Sequence, residues 1–256
     1  MVDRMKGKLL CIDVGNTSAS YGLYEKGRFG LASHAPSNTI PEVARKLIKN
    51  KNAGPFNHAV VSSVVPQITQ KLRKALSGSK GLHLWVIGQN LRVPIKHKYH
   101  KINQLGTDRL ATAYGALKLY GAPILIFDFG TALTCDYVSS KGVFEGGLII
   151  PGPQISLKVL SEKTALLPSI KFPHKSGLLG QDTKSCMEAG ILQGYGAMAD
   201  GLVERFRKRY GKKLRVVATG GLAKTLAPYM SRVDLVDPLL TLKSLALLFK
   251  AKPHSS

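Results

Sequence analysis

Carboxylates are scarce in this chain: among its 256 residues, 15 Asp and Glu face 37 Lys and Arg, a formal charge of +22. A surplus of that size exceeds what solubility asks for and raises a nucleic-acid partner as one explanation. The basic residues are spread out, however, through Arg45, Lys46, Lys49 and Lys51, then residues 92–101, then 205–215. No run interleaves them with aromatics as an RNA-binding motif does, so a dedicated nucleic-acid role is not expected. A generally basic surface that draws in anionic substrates is. Cysteine is rarer still. Cys11, Cys135 and Cys186 are odd in number and widely spaced, which excludes a disulfide framework and points to free, buried thiols in a reducing compartment. None of the seven histidines falls in a metal-ligand spacing, and His97 and His100 belong with a basic surface loop. No apolar run approaches the roughly 18 to 20 residues of a bilayer span, and residues 1–8 are too polar for a secretory leader. The expectation is a soluble, cytoplasmic protein with no membrane partner. Neither Gly-x-x-x-x-Gly-Lys-Ser/Thr nor Gly-x-Gly-x-x-Gly occurs, which counts against P-loop and dinucleotide-binding folds.

What the chain does hold is a copy of part of itself. Leu10-Cys11-Ile12-Asp13-Val14-Gly15-Asn16-Thr17, running on to Lys26-Gly27-Arg28-Phe29, matches Leu125-Ile126-Phe127-Asp128-Phe129-Gly130-Thr131-Ala132 and Lys141-Gly142-Val143-Phe144 at a constant offset of 115 residues. Each copy reads as an apolar strand, a tight polar turn, a second strand and a Gly-bearing hairpin turn. With 44% hydrophobic residues the chain can bury a core in each half, and the offset favours two domains, residues 1–112 and 113–256.

Strands are expected at residues 9–14, 18–24, 58–63 and 82–87 in the first half, with helices at 41–50 and 67–76. A helix over 108–120 leads to strands at 124–127, 133–138, 143–150 and 215–219 and helices at 154–160, 183–209 and 239–249. Strands gathered at the start of each half, with helices after them, give a duplicated α/β fold and not an alternating barrel.

A single Asp-x-Gly is ordinary turn punctuation. Two in register, each following a buried strand, are better explained as a pair of loops that present backbone N–H groups and small hydroxyls to phosphate across a cleft. A carboxylate beside a polyanion needs a cation between them, so a metal ion is expected near Asp13 and near Asp128, Mg²⁺ being the natural choice with ATP. Gly106-Thr107-Asp108-Arg109 opens a helix. Thr107 and Asp108 suit a helix start on structural grounds alone. Functionally, Arg109 is a fork for a substrate carboxylate and Asp108 a proton acceptor, kept ionised by the helix N-terminus and therefore a weak base. Two glycine loops, residues 146–152 and Thr219-Gly220-Gly221, are further candidates for close backbone approach to a nucleotide.

Taken in order, Asp13 to Thr17, Gly106 to Arg109, Asp128 to Thr134 and Gly146 to Gly152 resemble the type III pantothenate kinases of the actin and sugar-kinase superfamily. Lys163 to Pro168, Gly180 to Thr183, Thr219 to Ala223 and Leu240 to Leu242 extend the resemblance over nearly the whole chain. It implies two ribonuclease-H-like domains with a nucleotide cleft between them, and ATP-dependent phosphorylation of the primary hydroxyl of pantothenate, the first step towards coenzyme A. Position by position, it implies that Asp13, Val14, Gly15, Asn16, Thr17, Ser18, Ala19 and Ser20 hold the ATP phosphates and that Thr131 touches the nucleotide. Asp108 accepts the proton; Tyr99, Gly106, Thr107, Asp108 and Arg109 bind pantothenate. Asp128 ligates a monovalent cation, K⁺ or NH₄⁺, and Thr183 reaches pantothenate from the partner subunit of a homodimer. Thr107 stands where the family usually has Ala, Ile102 where it commonly has Pro, and Lys243-Ser244 where it often has Glu-Gly. A second reading stays open here: a nucleotide-binding regulator whose charge serves DNA or RNA, which would bind nucleic acid with a steep salt dependence and without need of Asp108.

Overall fold

The computed structural model describes residues 7–50, 56–79 and 81–252. The chain divides into two units: one holds the described residues up to Ile95, Lys101–Gly115 and those from Leu239 onward, the other Lys96–His100 and Ala116–Pro238.

The first unit is a five-stranded sheet. β1 (Lys8–Val14), β2 (Ser18–Glu25) and β3 (Arg28–Pro36) form an antiparallel meander; α1 (Ile40–Lys49) leads to β4 (Phe56–Ser63), and α2 (Pro66–Ser77) to β5 (His83–Val86). The order is β3-β2-β1-β4-β5, with β4 parallel to β1 and β5 parallel to β4. Alternation along β1 divides the faces. Leu10, Ile12 and Val14 pack with Ala44 of α1 and Leu72 of α2 into one core. Pro41 and Pro66 open these two helices, in the first turn, where a missing N–H costs nothing.

After β6 (Lys96–His97), α3 (Thr107–Tyr120) crosses from one unit to the other. The second unit repeats the plan with β7 (Ile124–Phe129), β8 (Ala132–Val138), β9 (Val143–Pro151), α4 (Pro153–Lys163), the long α5 (Thr183–Tyr210), β10 (Arg215–Thr219), the short α6 (Ala223–Leu226) and β11 (Leu235–Val236). Read from β9, the order is β9-β8-β7-β10-β11, the pattern of the first sheet, with β6 added beyond β9. α5 starts on a reciprocal cap between Asp182 and Ser185 and ends at Gly211, whose φ of 100° other residues rarely adopt. Leu192, Ala199 and Val203 of α5 pack on Leu125, Phe127 and Phe129. The last helix, α7 (Leu240–Ala251), returns to the first unit and packs against β1, β2 and β4.

The two copies share one strand order, as the duplicated α/β reading and the ribonuclease-H-like fold implied by the resemblance both expect, but their hairpins are not identical. In the first, residues 15–17 separate the strands and Asp13 is paired with Ser20; in the second only residues 130–131 intervene, and Asp128 is paired with Thr134. The register slips by one residue despite the gapless sequence match, and irregularities at Leu23/Tyr24 and Tyr137/Val138 accompany it. The strand expected at 143–150 is β9, and it takes in Gly146 and Gly147 of the glycine loop expected at 146–152. Cys11 and Cys135 are buried free thiols, but Cys186 is exposed on α5, and burial pushes the Cys11 thiol far above its ordinary range.

Candidate active site

In an open α/β sheet, ligands collect at the carboxyl ends of the parallel strands. In the first unit β1, β4 and β5 end together: Val64 N donates to Val14 O and Ile87 N to Val61 O. The turn after Asp13 closes with Gly15 N donating to Ser18 O, and it is braced from behind, Ser37 Oγ donating to Gly15 O at 2.7 Å and Ser37 N to Thr17 O at 3.1 Å. Of the eight residues expected to hold phosphates, Asn16, Thr17 and Ser18 are exposed, Asp13, Gly15 and Ser20 part-buried, and Val14 and Ala19 are core. Those last two can offer only backbone.

Gly88, just past β5, joins this edge to α3. A Cβ there would lie 3.0 Å from the Thr107 methyl, so the turn packs on the helix start and sets Gly106 to Arg109 at the carboxyl edge of the sheet. Arg109 N donates to Asp108 Oδ1 at 2.8 Å, and Arg109 is 8% exposed. Burial pushes the Asp108 carboxyl above the ordinary carboxylate range; that hydrogen bond and the Arg109 charge pull the other way and lose. Burial thus opposes the helix N-terminus that was expected to hold this carboxylate in its weakly basic form. Desolvation is the largest of these influences, so the Asp108 carboxyl is more basic than an exposed one.

The second unit repeats the edge. Gly130 N donates to Ala132 O, and Gly152, at the start of α4, donates to Thr131 O at 3.1 Å. Any side chain on Gly152 would strike the carbonyl oxygens of Gly130 and Thr131. Behind Asp128, Gly220 has φ 92°, and a Cβ there would fall on Asp128 Oδ1 and lie 2.7 Å from Phe129 N. The Thr219-Gly220-Gly221 turn thus approaches the aspartate as only glycine permits. Two expected residues lie away from this edge. Tyr99 stands at the outer side of the sheet beside Phe144, ring centroids 6.3 Å apart, near the start of β9. Thr183, exposed, opens α5 and lines a surface pocket with Leu160, Leu167, Cys186 and Met187. Sequence reasoning missed Ser37, Gly88, and Ser62 at the end of β4; a polar residue closing the apolar run 59–61 was the signal for the last.

Comparison with known proteins decides the lineage. The type III pantothenate kinase family pattern matches residues 9–205, and a type III pantothenate kinase from Bacillus cytotoxicus is 34% identical over 250 residues, 94% of this chain and 95% of that one. The chain belongs to the type III pantothenate kinase family. Solved structures agree on the fold: a conserved Baf family protein from Campylobacter jejuni (TM-score 0.61, 20% identity, 94% of this chain and 97% of that one) and the ethanolamine utilization protein EutJ from Carboxydothermus hydrogenoformans (TM-score 0.57, 13% identity, 97% and 92%).

Against the type III pantothenate kinase pattern, the structure accounts for one departure. Ser244 is fully buried on α7, its Oγ donating to Leu240 O at 2.7 Å, where it packs directly on Gly115 of α3. Ile102 is half-exposed and nothing explains it. The turns also suit a cation held with a nucleotide. Mg²⁺ takes one or two carboxylates together with substrate phosphates, and each turn carries one, Asp13 and Asp128. Among the described residues no three His, Cys, Asp or Glu side chains cluster, so the phosphates would supply the remaining ligands. At Asp128 the Gly220 cradle presses on the carboxylate, and the buried Thr219 hydroxyl has no protein partner; both fit a bound cation.

Proposed function

We propose that this enzyme transfers the γ-phosphoryl of ATP to the primary hydroxyl of pantothenate, giving 4′-phosphopantothenate, the first step of coenzyme A biosynthesis. Family membership supports the reaction class and the acceptor. The observation that carries the mechanism is Asp108, a carboxylate of raised basicity held at the carboxyl edge of a sheet whose neighbouring turn suits phosphate.

In this reading the backbone and hydroxyls of residues 13–20, with Thr131, hold the nucleotide. Gly106, Thr107 and Arg109 bind pantothenate, with Arg109 facing its carboxylate. The pantothenate hydroxyl oxygen bonds to the γ-phosphorus as the bond to the ADP oxygen breaks, and the hydroxyl proton passes to Asp108. The loose transition state asks for orientation and charge placement more than for a strong base. Mg²⁺ on the phosphates would offset their charge, and Asp128 would hold K⁺ or NH₄⁺. The same reading places the enzyme in the cytoplasm, with no nucleic-acid role for its charge. Among the described residues, no helix is long and apolar enough to cross a membrane.

A homodimer belongs to the proposal. The second unit leaves Leu166 90%, Leu178 76% and Leu179 84% exposed beside α4 and α5, an apolar surface of the kind that marks an interface. On α5, Gly190, Gly194 and Gly201 have open space where a side chain would be, which lets a second helix approach closely. Thr183 sits beside Leu160, about 12 Å along α4 from the turn braced by Gly152, which suits a residue that serves the partner's site. Leu179→Asp should convert a dimer to monomer in sedimentation without lowering Tm of the subunit, and activity should fall at least about tenfold with it; a stable, active dimer would count against this arrangement.

The experiment for the function is an acceptor panel. ADP release with Mg²⁺ and K⁺ should depend on pantothenate and not on glucose or glycerate. ADP release driven by a sugar and indifferent to pantothenate would refute the acceptor and keep the kinase.

A further inference from the structure

Beside each phosphate turn stands a buried hydroxyl that the protein leaves without a partner. β7 and β10 run parallel, and Asp128 and Thr219 are opposite residues on them. Their side chains share one face of the sheet, the face turned away from Leu125, Phe127, Val216 and Ala218. Thr219 is fully buried, and its Oγ1 has no hydrogen-bond partner. Asp128 Oδ1 leans over Gly220, the next residue along, which directs the carboxylate towards the end of β10. The first unit repeats this. Asp13 and Ser62 are opposite residues on the parallel pair β1 and β4, Ser62 is fully buried, and its Oγ has no partner.

A buried, unsatisfied hydroxyl destabilises a fold, and Val or Ala in its place would avoid the loss. Scattered groups of this kind are tolerable, and the Thr107 and Ser176 hydroxyls are two more. The same feature at equivalent places in two copies whose turns have diverged in length and register calls for something the chain does not itself supply. A neutral oxygen next to a carboxylate, on a face closed by glycine backbone, is a donor set for a hard cation.

We propose that Thr219 Oγ1 is a second protein donor to the monovalent cation at Asp128, with Ser62 as its counterpart beside Asp13. The inference rests on the reading of Asp128 as the cation's carboxylate and adds the residue that completes its protein share. It also explains why a hydroxyl survives at the end of a strand whose preceding residues, Val216, Val217 and Ala218, are all apolar.

The test needs no turnover. Thermal unfolding of the full-length protein is compared in KCl and in choline chloride at equal ionic strength, without substrates, for wild type, Thr219→Val and Thr219→Ser. Wild type should gain Tm in KCl. Thr219→Val should lose that gain while matching or exceeding wild type in choline chloride, because the unsatisfied oxygen is gone. In the kinase assay it should need about tenfold or more KCl for half-activation. Thr219→Ser, which restores the oxygen, should recover both properties. Thr219→Ala removes the same oxygen with less bulk and carries the same expectation if the valine variant does not fold. A valine variant with wild-type KCl stabilisation and half-activation would overturn the proposal, and an ordered water as the hydroxyl's partner gives that result. A wild type indifferent to KCl in both measurements would instead remove the cation from Asp128, and this inference with it.

Discussion

Asp108→Asn lowers kcat by about a hundredfold to ten-thousandfold, with little change in the KM for ATP. The amide keeps the shape and can still orient the pantothenate hydroxyl, but it cannot take the proton. The direction of the Asp108 shift adds two further expectations. Because burial raises its pKa, the wild-type kcat/KM should fall on the acid side at a pH above the ordinary carboxylate range, and this limb should vanish in the variant. Stability should move the opposite way. A carboxyl whose folded pKa is raised favours the fold while protonated and loses that contribution as pH rises through the folded value. At neutral pH the wild type therefore carries a buried charge that Asn relieves, so the variant should melt at a higher temperature. The gain should fade as the pH is lowered and Asp108 takes up its proton. A variant that loses activity and stability together at neutral pH would show that Asp108 is a structural group.

Gly152→Ala tests whether the second turn is positioned by packing. The φ of Gly152 is −70°, which alanine adopts freely, so its penalty is steric: the added methyl meets the carbonyl oxygens of Gly130 and Thr131. Relieving that overlap requires α4 or the turn to move. We expect a loss of about 1–3 kcal/mol in stability and a rise of about tenfold to a hundredfold in the KM for ATP, with the KM for pantothenate less affected. Gly30→Ala, where nothing lies within 4 Å of the added methyl, is the control and should be neutral. Equal effects on both substrates would place the damage in the fold as a whole.

Much of this architecture was legible because it is written twice. The Asp13 and Asp128 hairpins, the strand at Arg215–Thr219 and the helix expected at 183–209, which is α5, all carry local signals strong enough to survive folding. β3 was not legible by itself. Its sequence, rich in Gly, Ala and Ser and largely exposed, lacks alternation, yet the 115-residue offset maps Arg28–Pro36 onto Val143–Pro151, the bounds of β9. The strand could have been found from its copy. Gly146 and Gly147 carried two signals, a strand over 143–150 and a glycine loop, and β9 absorbs them next to a register irregularity. The candidate site divides along the same line. Asp13, Asp108 and Asp128 sit in recognisable motifs. The groups that tune them do not: the burial that raises Asp108, Ser37 beneath the first turn and Ser62 beside Asp13 depend on residues brought together from separate strands and turns. No local pattern announces that α7 returns to β1, since its apolar residues would suit either sheet.

The central claim is tested most directly by identifying the product. Purified protein is incubated with ATP, MgCl₂, KCl and pantothenate, and the mixture is resolved by mass spectrometry. Pantothenate should be converted to a species carrying one phosphoryl group on its primary hydroxyl, in step with ADP, and Asp108→Asn should leave it unconverted. ATP consumed while pantothenate is recovered unchanged would contradict the account.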